Sequence, residues 1–292
     1  MIPRPRARRH VPIGFALFVL VAVAAGAQTY TTIDFPGGAN TSAYSINDLG
    51  DVVGHYDDAD GNTHGFLLRH GQYTSIDVPG ATFTAPRGIN NLGDVAGRFV
   101  DSAGVKRGFV RHHGAFTTID FPGAVDTRVR SIDDFGRLTG NYRKADGVEH
   151  GFLRDARGFH TIDFPGSLTT DAWQVNDLGV IVGDFTGADG MVHGYVLMNG
   201  RFTQIDEPGP NQTSTRGINL VGTIVGMYEA DDGSGFGLIV TAHGMQSFQV
   251  PDAAGFSEAY SINLLGPIVG DYADADGMFH GFLRTPGVEP GR

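Results

Sequence analysis

The feature that most constrains the fold of this chain is an internal repeat with a period of 43 residues. A period of about 20 to 50 residues is typical of solenoids, propellers and similar arrays. The segment Ile-Asp-Phe-Pro-Gly recurs, with changes, at Ile33, Ile76, Ile119, Ile162, Ile205 and Phe248. A second marker, of the type Ile-Asn-x-Leu-Gly, follows at Ile46, Ile89, Ile132, Val175, Ile218 and Ile262. The chain is therefore built from six units that share one plan.

Within each unit, turn residues separate four short predicted strands. In the first unit we expect strands at residues 44–47, 52–56, 65–69 and 73–77. Asp60-Gly61 and His70-Gly71 are predicted as two-residue hairpin turns, and Pro79 ends the last strand because proline cannot donate to a strand ladder. No helical period extends over about ten residues after position 27. The predicted fold class is therefore all-β.

The two ends of the repeat array complement each other. The array opens with a fourth strand, Tyr30 to Phe35, and ends after a third strand, Gly281 to Arg284. A lone four-stranded sheet cannot bury both faces, whereas sheets that neighbour one another in a ring can. We predict a six-bladed β-propeller of four-stranded antiparallel blades, closed by pairing of the N-terminal strand with the last blade. A β-solenoid with four strands per turn is the alternative.

The first 27 residues are predicted to be a secretion signal. Four arginines between positions 4 and 9 precede an apolar stretch over residues 11–25, and residues 25–27 form an Ala-x-Ala type cleavage site. A single propeller domain is then expected to span residues 28–292. We expect the mature protein to be extracellular or periplasmic.

Charge and cysteine content limit the possible partners. Removing those four arginines from the 21 basic residues leaves 17 against 32 acidic residues. A net charge of about −15 argues against nucleic acid and against an anionic membrane surface. The chain has no cysteine, so disulfides and thiolate-bound metal cannot stabilise it. We expect a monomer that makes no membrane contact once the signal is removed.

A recurring tripeptide connects the units to a known family. His-Gly-Phe occurs at residues 64–66, 150–152 and 280–282, a close variant at 193–195, and more distant ones at 107–109 and 236–238. The units resemble the HAF repeat of predicted bacterial extracellular proteins, in which His-Gly-Phe precedes a short turn and the next strand. The resemblance covers the whole mature chain. It implies an extracellular location and a repeat fold, and it brings no catalytic residues.

Six copies in one chain permit an internal comparison, because a residue present in every unit must serve the architecture. Asparagine or aspartate before the first turn is predicted to bond to the turn backbone, with a ring of ligands as the alternative. These residues are Asn47, Asn90, Asp133, Asn176, Asn219 and Asn263. Glycine within the second strand is predicted to allow close approach between blades. These glycines are Gly54, Gly97, Gly140, Gly183, Gly226 and Gly270.

Function is expected where the copies differ, and the most informative variable position lies two residues before the first-strand isoleucine. Its residues are Tyr44, Arg87, Arg130, Trp173, Arg216 and Tyr260. The first strand of a propeller blade is innermost, so these side chains are predicted to meet at one mouth of the channel. There the aromatic rings could stack on a sugar or an apolar group while arginine binds a carboxylate. Alternatively, the arginines pair with Asp77, Asp120 and Asp206.

Hydroxyl side chains stand just ahead of these six residues, where they could contact a ligand or satisfy the loop backbone. They are Thr41, Thr84, Thr127, Thr170, Thr213 and Ser257.

The histidines that share one repeat position are predicted to have a packing role. They are His64, His150, His193 and His280, and ring symmetry places them on different blades, too far apart to share a metal ion. The predicted hairpin register sets no recurring carboxylate opposite them. Residues 58–62 and 274–277 resemble calcium loops, but Asp-Gly is already explained as turn chemistry. We therefore predict neither a metal nor another cofactor.

The chain contains no hydrolase elbow, zinc-protease motif, phosphate loop or dinucleotide fingerprint. We therefore interpret it as a secreted binding or scaffold module, not an enzyme, for an unknown extracellular glycan or protein, with an acidic carbohydrate as the specific hypothesis. One alternative is a hydrolase or lyase acting on a glycan or lactone, with carboxylates such as Asp126, Asp171 and Glu258 at the mouth. The other is a passive cell-surface or matrix protein.

Overall fold

The computed structural model describes residues 26–209 and 212–287, so nearly all of the predicted secretion signal lies outside it. Within these ranges all regular secondary structure is β-strand, and no helix suited to crossing a membrane is found. In chain order the strands are β1 (Gly26–Ile33), β2 (Ala39–Ile46), β3 (Val52–Asp57), β4 (Thr63–Arg69), β5 (Gln72–Ile76), β6 (Phe83–Ile89), β7 (Val95–Val100), β8 (Lys106–His112), β9 (Ala115–Ile119), β10 (Asp126–Ile132), β11 (Leu138–Arg143), β12 (Glu149–Asp155), β13 (Gly158–Ile162), β14 (Thr169–Val175), β15 (Ile181–Thr186), β16 (Val192–Met198), β17 (Arg201–Ile205), β18 (Gln212–Ile218), β19 (Ile224–Glu229), β20 (Gly235–Thr241), β21 (Gly244–Phe248), β22 (Phe256–Ile262), β23 (Ile268–Ala273) and β24 (Phe279–Gly287).

The strands pair antiparallel in chain order within each unit. Four sheets are separate, formed by β2 to β5, β6 to β9, β10 to β13 and β14 to β17. The remaining strands form one eight-stranded sheet. In this sheet β18 to β21 pair antiparallel, as do β22, β23, β24 and β1. A single parallel residue pair, Gly235 with Phe256, joins the two sets.

The N-terminal strand completes the last unit, as the sequence predicts. β1 pairs antiparallel with β24, so that Ile33 lies opposite Gly281. The Ile33 side chain is 3% exposed and packs in a core cluster with Phe66 and Val269. The innermost strands contact one another in succession, and β2 contacts both β6 and β22. The sheets therefore surround a central channel in a closed ring, which is the arrangement of a β-propeller and excludes the solenoid alternative.

At one end of the channel, the repeated asparagines stabilise the first turn of each unit. The Asn47 Oδ1 atom accepts hydrogen bonds from the backbone N–H groups of Leu49, at 3.1 Å, and Asp51, at 2.9 Å. This is the Asx-type bonding that the sequence predicts. A buried side-chain amide that satisfies its own turn needs no ligand to explain it.

The same amides also link neighbouring units, which the sequence did not indicate. Asn47 Nδ2 donates to the carbonyl oxygen of Asn90 at 3.0 Å, and Asn263 Nδ2 donates to the carbonyl oxygen of Asn47 at 3.1 Å. Asn90, Asn176 and Asn219 donate forward in the same way. Asp133 has no amide, and Arg137 Nη2 instead donates to the carbonyl oxygen of Asn176 at 3.1 Å. The chain thus closes on itself through hydrogen bonds as well as through β1.

The loop between the second and third strands is longer than predicted. The N–H of Asp58 donates to the carbonyl oxygen of Asn62 at 2.9 Å, and the N–H of Gly61 donates to that of Asp58 at 3.0 Å. Gly61 has a φ of 80°, so residues 59–61 form a three-residue loop that ends in a left-handed glycine. The predicted two-residue turn is wrong here. One extra residue shifts the strand register, and His64 lies opposite Tyr56 instead of Asp57.

The hairpin between the third and fourth strands matches its prediction. His70 and Gly71 have φ angles of 51° and 74°, and Arg69 pairs with Gln72. Two successive positive φ angles are the geometry of a two-residue type I′ turn.

Candidate functional site

Each of the six residues predicted to meet in the channel is the extra residue of a β-bulge. In the first unit, Ala43 pairs with Gly54 and Ser45 pairs with Val53, which leaves Tyr44 without a partner residue. The pairing skips Arg87, Arg130, Trp173, Arg216 and Tyr260 in the same way. A bulge bends its strand and re-aims the side chain of the extra residue. The variable position is therefore set by a backbone irregularity common to all units.

The structure brings these six side chains together in one layer across the channel. The guanidinium carbon of Arg87 lies 3.5 Å from the ring centre of Tyr44. Those of Arg130 and Arg216 lie 3.9 Å and 3.7 Å from the ring of Trp173. Tyr260 meets Tyr44 edge-on, with ring centres 4.7 Å apart. The layer is thus a network of cation–π and aromatic contacts.

The layer leaves little space between its members. The cavity that all six residues line has a volume of about 20 Å³, which is room for one water molecule. Pockets for small ligands usually measure about 300 to 1,000 Å³. Arginines already contact the rings of Tyr44 and Trp173. A ligand therefore cannot lie between the six side chains in this arrangement, and it would have to contact the layer from one of its two faces along the channel axis.

Two of the three arginines in this layer pair with carboxylates, but not with those proposed from the sequence. Arg216 contacts Glu258 at 2.6 Å and Asp184 at 3.2 Å. Arg130 contacts Asp171 at 3.4 Å. These carboxylates come from the inner two strands, because the bulge turns the arginines inward.

The aspartates that end the fourth strands bind the outer strands instead. Asp77 contacts His64 Nδ1 at 3.0 Å and Asp206 contacts His193 Nδ1 at 3.0 Å. Asp120 contacts Arg107, the residue at the histidine position of the second unit. The predicted pairing of Asp77, Asp120 and Asp206 with the channel arginines is therefore wrong.

A second layer of mostly polar residues lies next to the bulges, and of its members the sequence pointed only to Asp171 and Glu258. In each unit it contains two residues that pair with each other. One follows the invariant glycine of the second strand, and the other stands two positions before the bulge residue of the first strand. The pairs are Ser42 with His55, Ala85 with Arg98, Arg128 with Asn141, Asp171 with Asp184, Ser214 with Met227, and Glu258 with Asp271. These positions differ between units as strongly as the first layer does, which is the signal that could have revealed them.

Burial and neighbouring charge shift the ionisation of this second layer. Burial raises the pKa of Asp171 to about 6, although Arg130 opposes the shift. Burial and the carboxylate of Glu258 raise the pKa of Asp271 to about 7. Burial and the charges of Arg87 and Arg98 lower the pKa of His55 to about 3, so this imidazole is neutral. The channel therefore combines carboxyls that protonate easily with a histidine that does not.

The hydroxyls just ahead of the bulges satisfy the loop backbone. Thr41 Oγ1 accepts the backbone N–H of Phe35 at 3.1 Å, and Thr170 Oγ1 accepts that of Phe164 at 3.0 Å. Equivalent bonds reach Thr84, Thr127, Thr213 and Ser257. Of the two roles considered for these residues, the structure supports the structural one.

The repeated histidines do have carboxylate partners, which corrects the prediction made from the hairpin register. His64 contacts Asp77 at 3.0 Å and Asp58 at 3.1 Å. His150 contacts Asp163, His193 contacts Asp206 and Asp189, and His280 contacts Asp34 and Asp274. The partners come from the end of the fourth strand and from the loop, not from the residue directly opposite, so a register argument could not find them.

Each of these histidines also packs against an aromatic ring, in agreement with the predicted packing role. His64 stacks on Tyr56, whose other neighbour, Phe35, lies parallel to it at 3.6 Å between ring centres. The stack recurs in the third and fourth units. Asp58, at the start of the calcium-like segment, accepts the backbone N–H groups of Asp60 and Asn62 through Oδ1. The segment is thus explained by turn and histidine contacts.

Comparison with known proteins places the chain in a fold class. No protein-family model matches the chain and no curated protein matches it, so the resemblance to the HAF repeat stays a prediction. The chain is similar to AofleA from Arthrobotrys oligospora, with a TM-score of 0.58 and 11% identity over 89% of this chain and 87% of that chain. It is also similar to a six-bladed β-propeller lectin from Aleuria aurantia that recognises fucose, with a TM-score of 0.53 and 10% identity over 90% and 99% of the two chains.

A third similar structure is TolB from Acinetobacter baumannii, with a TM-score of 0.58 and 12% identity over 82% of this chain and 65% of that chain. Identities this low establish the fold alone. The chain is an all-β propeller with four-stranded antiparallel blades.

Proposed function

We propose that this protein is a secreted, monomeric six-bladed propeller that binds an extracellular carbohydrate, and specifically an acidic one, without catalysing a reaction. The observation that carries the proposal is the convergence of three arginines and three aromatic residues on six β-bulges at one place in the channel. Aromatic and guanidinium groups together are suited to a ligand with apolar ring faces and anionic substituents. The similarity to a fucose-recognising lectin is consistent with a glycan ligand.

The blade number follows from counting the eight-stranded sheet as two blades. Its two antiparallel sets touch at only one parallel residue pair, Gly235 with Phe256, whereas pairs within a set extend over five or six residues on each strand. The set that ends in β1 uses both ends of the repeat array. Each blade then contributes one bulged inner strand and one side chain to the channel layer.

The ligand would approach the channel layer along the channel axis, from the side on which the second polar layer lies. Most of the charged groups there are bound to one another, as in the contacts of Arg216 with Asp184 and Glu258. A ligand that brings its own hydroxyls and carboxylates could exchange for some of these bonds. Specificity would come from the residues that differ between blades.

A glycan array with the purified mature domain tests this function. A variant with Arg87, Arg130 and Arg216 changed to alanine removes three channel cations. A control variant with Arg111, Arg154 and Arg201 changed to alanine removes three cations from the outer strands, where the side chains are partly or fully exposed. We expect the parent and the control to bind the same glycans and the channel variant to lose them, with all three melting cooperatively. Equal binding by both variants would contradict the site, and no saturable glycan for the parent would favour a passive matrix protein.

Hydrolysis or elimination on a glycan or lactone is the second candidate, and one observation favours it. Asp271, with a pKa of about 7, and Asp171, with a pKa of about 6, are buried carboxyls whose protonation falls near neutral pH. A general acid needs a raised pKa of this kind. If the protein releases product from a bound glycan, Asp271→Asn should abolish release and leave binding intact. A parent protein that binds glycans and releases nothing excludes this candidate.

A further inference from the structure

We propose that Arg87 and Arg98 together form an anion site that binds one carboxylate of the ligand, an assignment that rests on the proposed carbohydrate-binding function. Arg87 is the bulge residue of β6, and Arg98 lies on the adjacent strand β7. Arg98 was not among the residues that the sequence pointed to. The two side chains approach the channel from the same unit.

Ion pairing sets these two arginines apart from the other arginines at this end of the channel. Arg128 contacts Glu149 at 2.7 Å, and Arg130 and Arg216 have the carboxylate partners described above. Within residues 26–209 and 212–287, the side chains of Arg87 and Arg98 form no ion pair and donate no hydrogen bond. Each guanidinium carries five N–H donors, so the pair has an unused capacity to bind an anion.

The absence of a carboxylate partner follows from the repeat positions that surround the two arginines. Arg216 binds Asp184 of the preceding unit and Glu258 of the following unit. The equivalent residues around Arg87 are His55 and Arg128, and neither is a carboxylate. Arg98 pairs with Ala85, which offers no acceptor. The second unit therefore lacks the carboxylates that neutralise the channel arginines of other units.

Burial makes this arrangement costly unless an anion is bound. The Nε atoms of Arg87 and Arg98, and Nδ1 of the adjacent His55, are buried and have no hydrogen-bond partner. Burial and the nearby charges of Arg87 and Arg130 lower the pKa of Arg98 to about 9. Both arginine side chains nevertheless retain part of their surface exposed, so that a ligand can reach them. A bound anion would offset the repulsion between the two charges.

The way the arginines are held favours a planar anion. Arg87 stacks on the ring of Tyr44 at 3.5 Å, and the guanidinium carbon of Arg98 lies 5.1 Å from the ring centre of Phe83. Stacking occupies the face of a guanidinium and leaves its edge free to donate two parallel hydrogen bonds. A carboxylate accepts such paired bonds, as do two oxygens of a sulfate ester. Acidic sugars carry one or the other group.

The test measures binding of four probes by titration calorimetry: sodium D-glucuronate, sodium acetate, a D-glucose sulfate ester and D-glucose. We expect the parent to bind glucuronate more tightly than the sulfate ester, and glucose at least about tenfold more weakly. Affinity for glucuronate should fall between about 50 mM and about 500 mM NaCl. Tighter binding of the sulfate ester would assign the site to sulfated ligands and overturn the carboxylate assignment.

Variants separate this pair from the rest of the channel. Arg98→Met and Arg87→Met should each weaken glucuronate binding by about tenfold or more, and Arg111→Met, which removes a cation from β8, should not. Because Arg98 is an uncompensated charge without ligand, Arg98→Met should melt at the same or a higher temperature than the parent while losing the rise in melting temperature that glucuronate causes. Arg98→Lys keeps the positive charge but cannot donate two parallel hydrogen bonds to one carboxylate. It should therefore bind glucuronate more tightly than Arg98→Met and more weakly than the parent.

The outcomes distinguish this inference from the proposed function. If neutral glycans bind and glucuronate does not, or if Arg98→Met binds glucuronate as the parent does, the anion site is wrong and the carbohydrate-binding function stands. If glucuronate, acetate and the sulfate ester bind equally and no glycan binds, the anion site stands and the carbohydrate-binding function is wrong.

Discussion

The backbone carbonyl oxygen of Ser42 occupies the space in which a Cβ atom on Gly54 would stand. The bulge at Tyr44 pushes this carbonyl toward the second strand, and the same conflict recurs at the other five second-strand glycines. A Cβ atom on Gly54 would also lie 2.7 Å from the ring of Phe66. These glycines were predicted to allow close approach between blades. Instead they accommodate a close approach within one blade, and they are the condition for the bulge.

The first prediction concerns this pairing of glycine and bulge in the fourth unit, where the bulge residue is Trp173, the only tryptophan. We expect Gly183→Ala to lower the free energy of unfolding by about 3 kcal/mol, because the Cβ atom meets backbone that cannot move without losing the bulge. Tryptophan emission of the folded variant should shift to longer wavelength. Gly54→Ala is the matched control, with a similar loss of stability and unchanged emission. Unchanged emission in Gly183→Ala would mean that the bulge does not require the glycine.

The second prediction uses the substitution that the third unit already contains. Asp133 replaces asparagine there, and Arg137 binds it at 2.5 Å while donating to the next unit. Asn176→Asp should lower the free energy of unfolding by about 2 kcal/mol, because it puts a carboxylate beside the carbonyl of Asn219. Adding Val180→Arg, which reproduces Arg137, should recover about 1 kcal/mol. Urea unfolding of both single variants and the double variant measures the coupling, and purely additive effects would contradict it.

The third prediction concerns closure of the ring by β1. Ile33→Ala should lower the free energy of unfolding by about 3 kcal/mol, because its side chain fills a core cluster between β1 and the first unit. Thr31→Ala, at an exposed position of the same strand, should change it by less than about 0.5 kcal/mol. Thermal unfolding distinguishes the two. Similar small effects would mean that β1 is dispensable to the fold.

The fourth prediction is that the protein becomes less stable as the pH rises from about 5 to about 8. Burial lowers the pKa of His64 and of His280, but hydrogen bonds to paired aspartates outweigh it and raise both pKa values. A histidine with a raised folded pKa stabilises below its unfolded value and loses that contribution as the pH passes the folded pKa. Asp271, with a folded pKa of about 7, binds its proton more tightly in the folded state, so its contribution also falls with rising pH. His55, with a folded pKa of about 3, acts in the opposite direction, but Asp171 and Asp271 together outweigh it.

Variants test the source of this pH dependence. Asp271→Asn should flatten the fall in melting temperature between pH about 5 and about 7, and His64→Gln should flatten it at higher pH. Aspartates such as Asp58, whose pKa is lowered first by hydrogen bonds from Asn62, lose their contribution only at more acidic pH. A melting temperature that rises from pH about 5 to about 8 would contradict the assignment.

Much of the architecture could be predicted because one pattern occurs six times, so that the copies can be compared with one another. The position of Ile33 at the start and Phe282 near the end predicted a shared sheet, and the two strands do pair. The positive φ angles at His70 and Gly71 followed from local turn chemistry. Where the local sequence permitted two turns of different length, as at Asp60-Gly61, the prediction failed, because the choice depends on one hydrogen bond that composition does not fix.

The candidate site was predicted in part. Variation among copies pointed to Tyr44 and its five equivalents, and they do meet. The partners of the arginines were wrong because they come from neighbouring units, so that Arg216 binds Asp184 of the preceding unit and Glu258 of the following one. Arg98 was overlooked because nothing in its own strand distinguishes it. Its lack of an acceptor becomes visible only when Ala85 is known to lie opposite.

The sequence by itself determined the period, the strand content, the turns that are chemically unambiguous and the complementarity of the two chain ends, since each depends on residues close in sequence or on exact repetition. Only the tertiary structure decided the bulges, the partners of each charge and the packing that fills the channel. Those features arise where side chains of different units meet at the channel axis. The energies of such contacts depend on distance and burial, which a linear pattern does not contain.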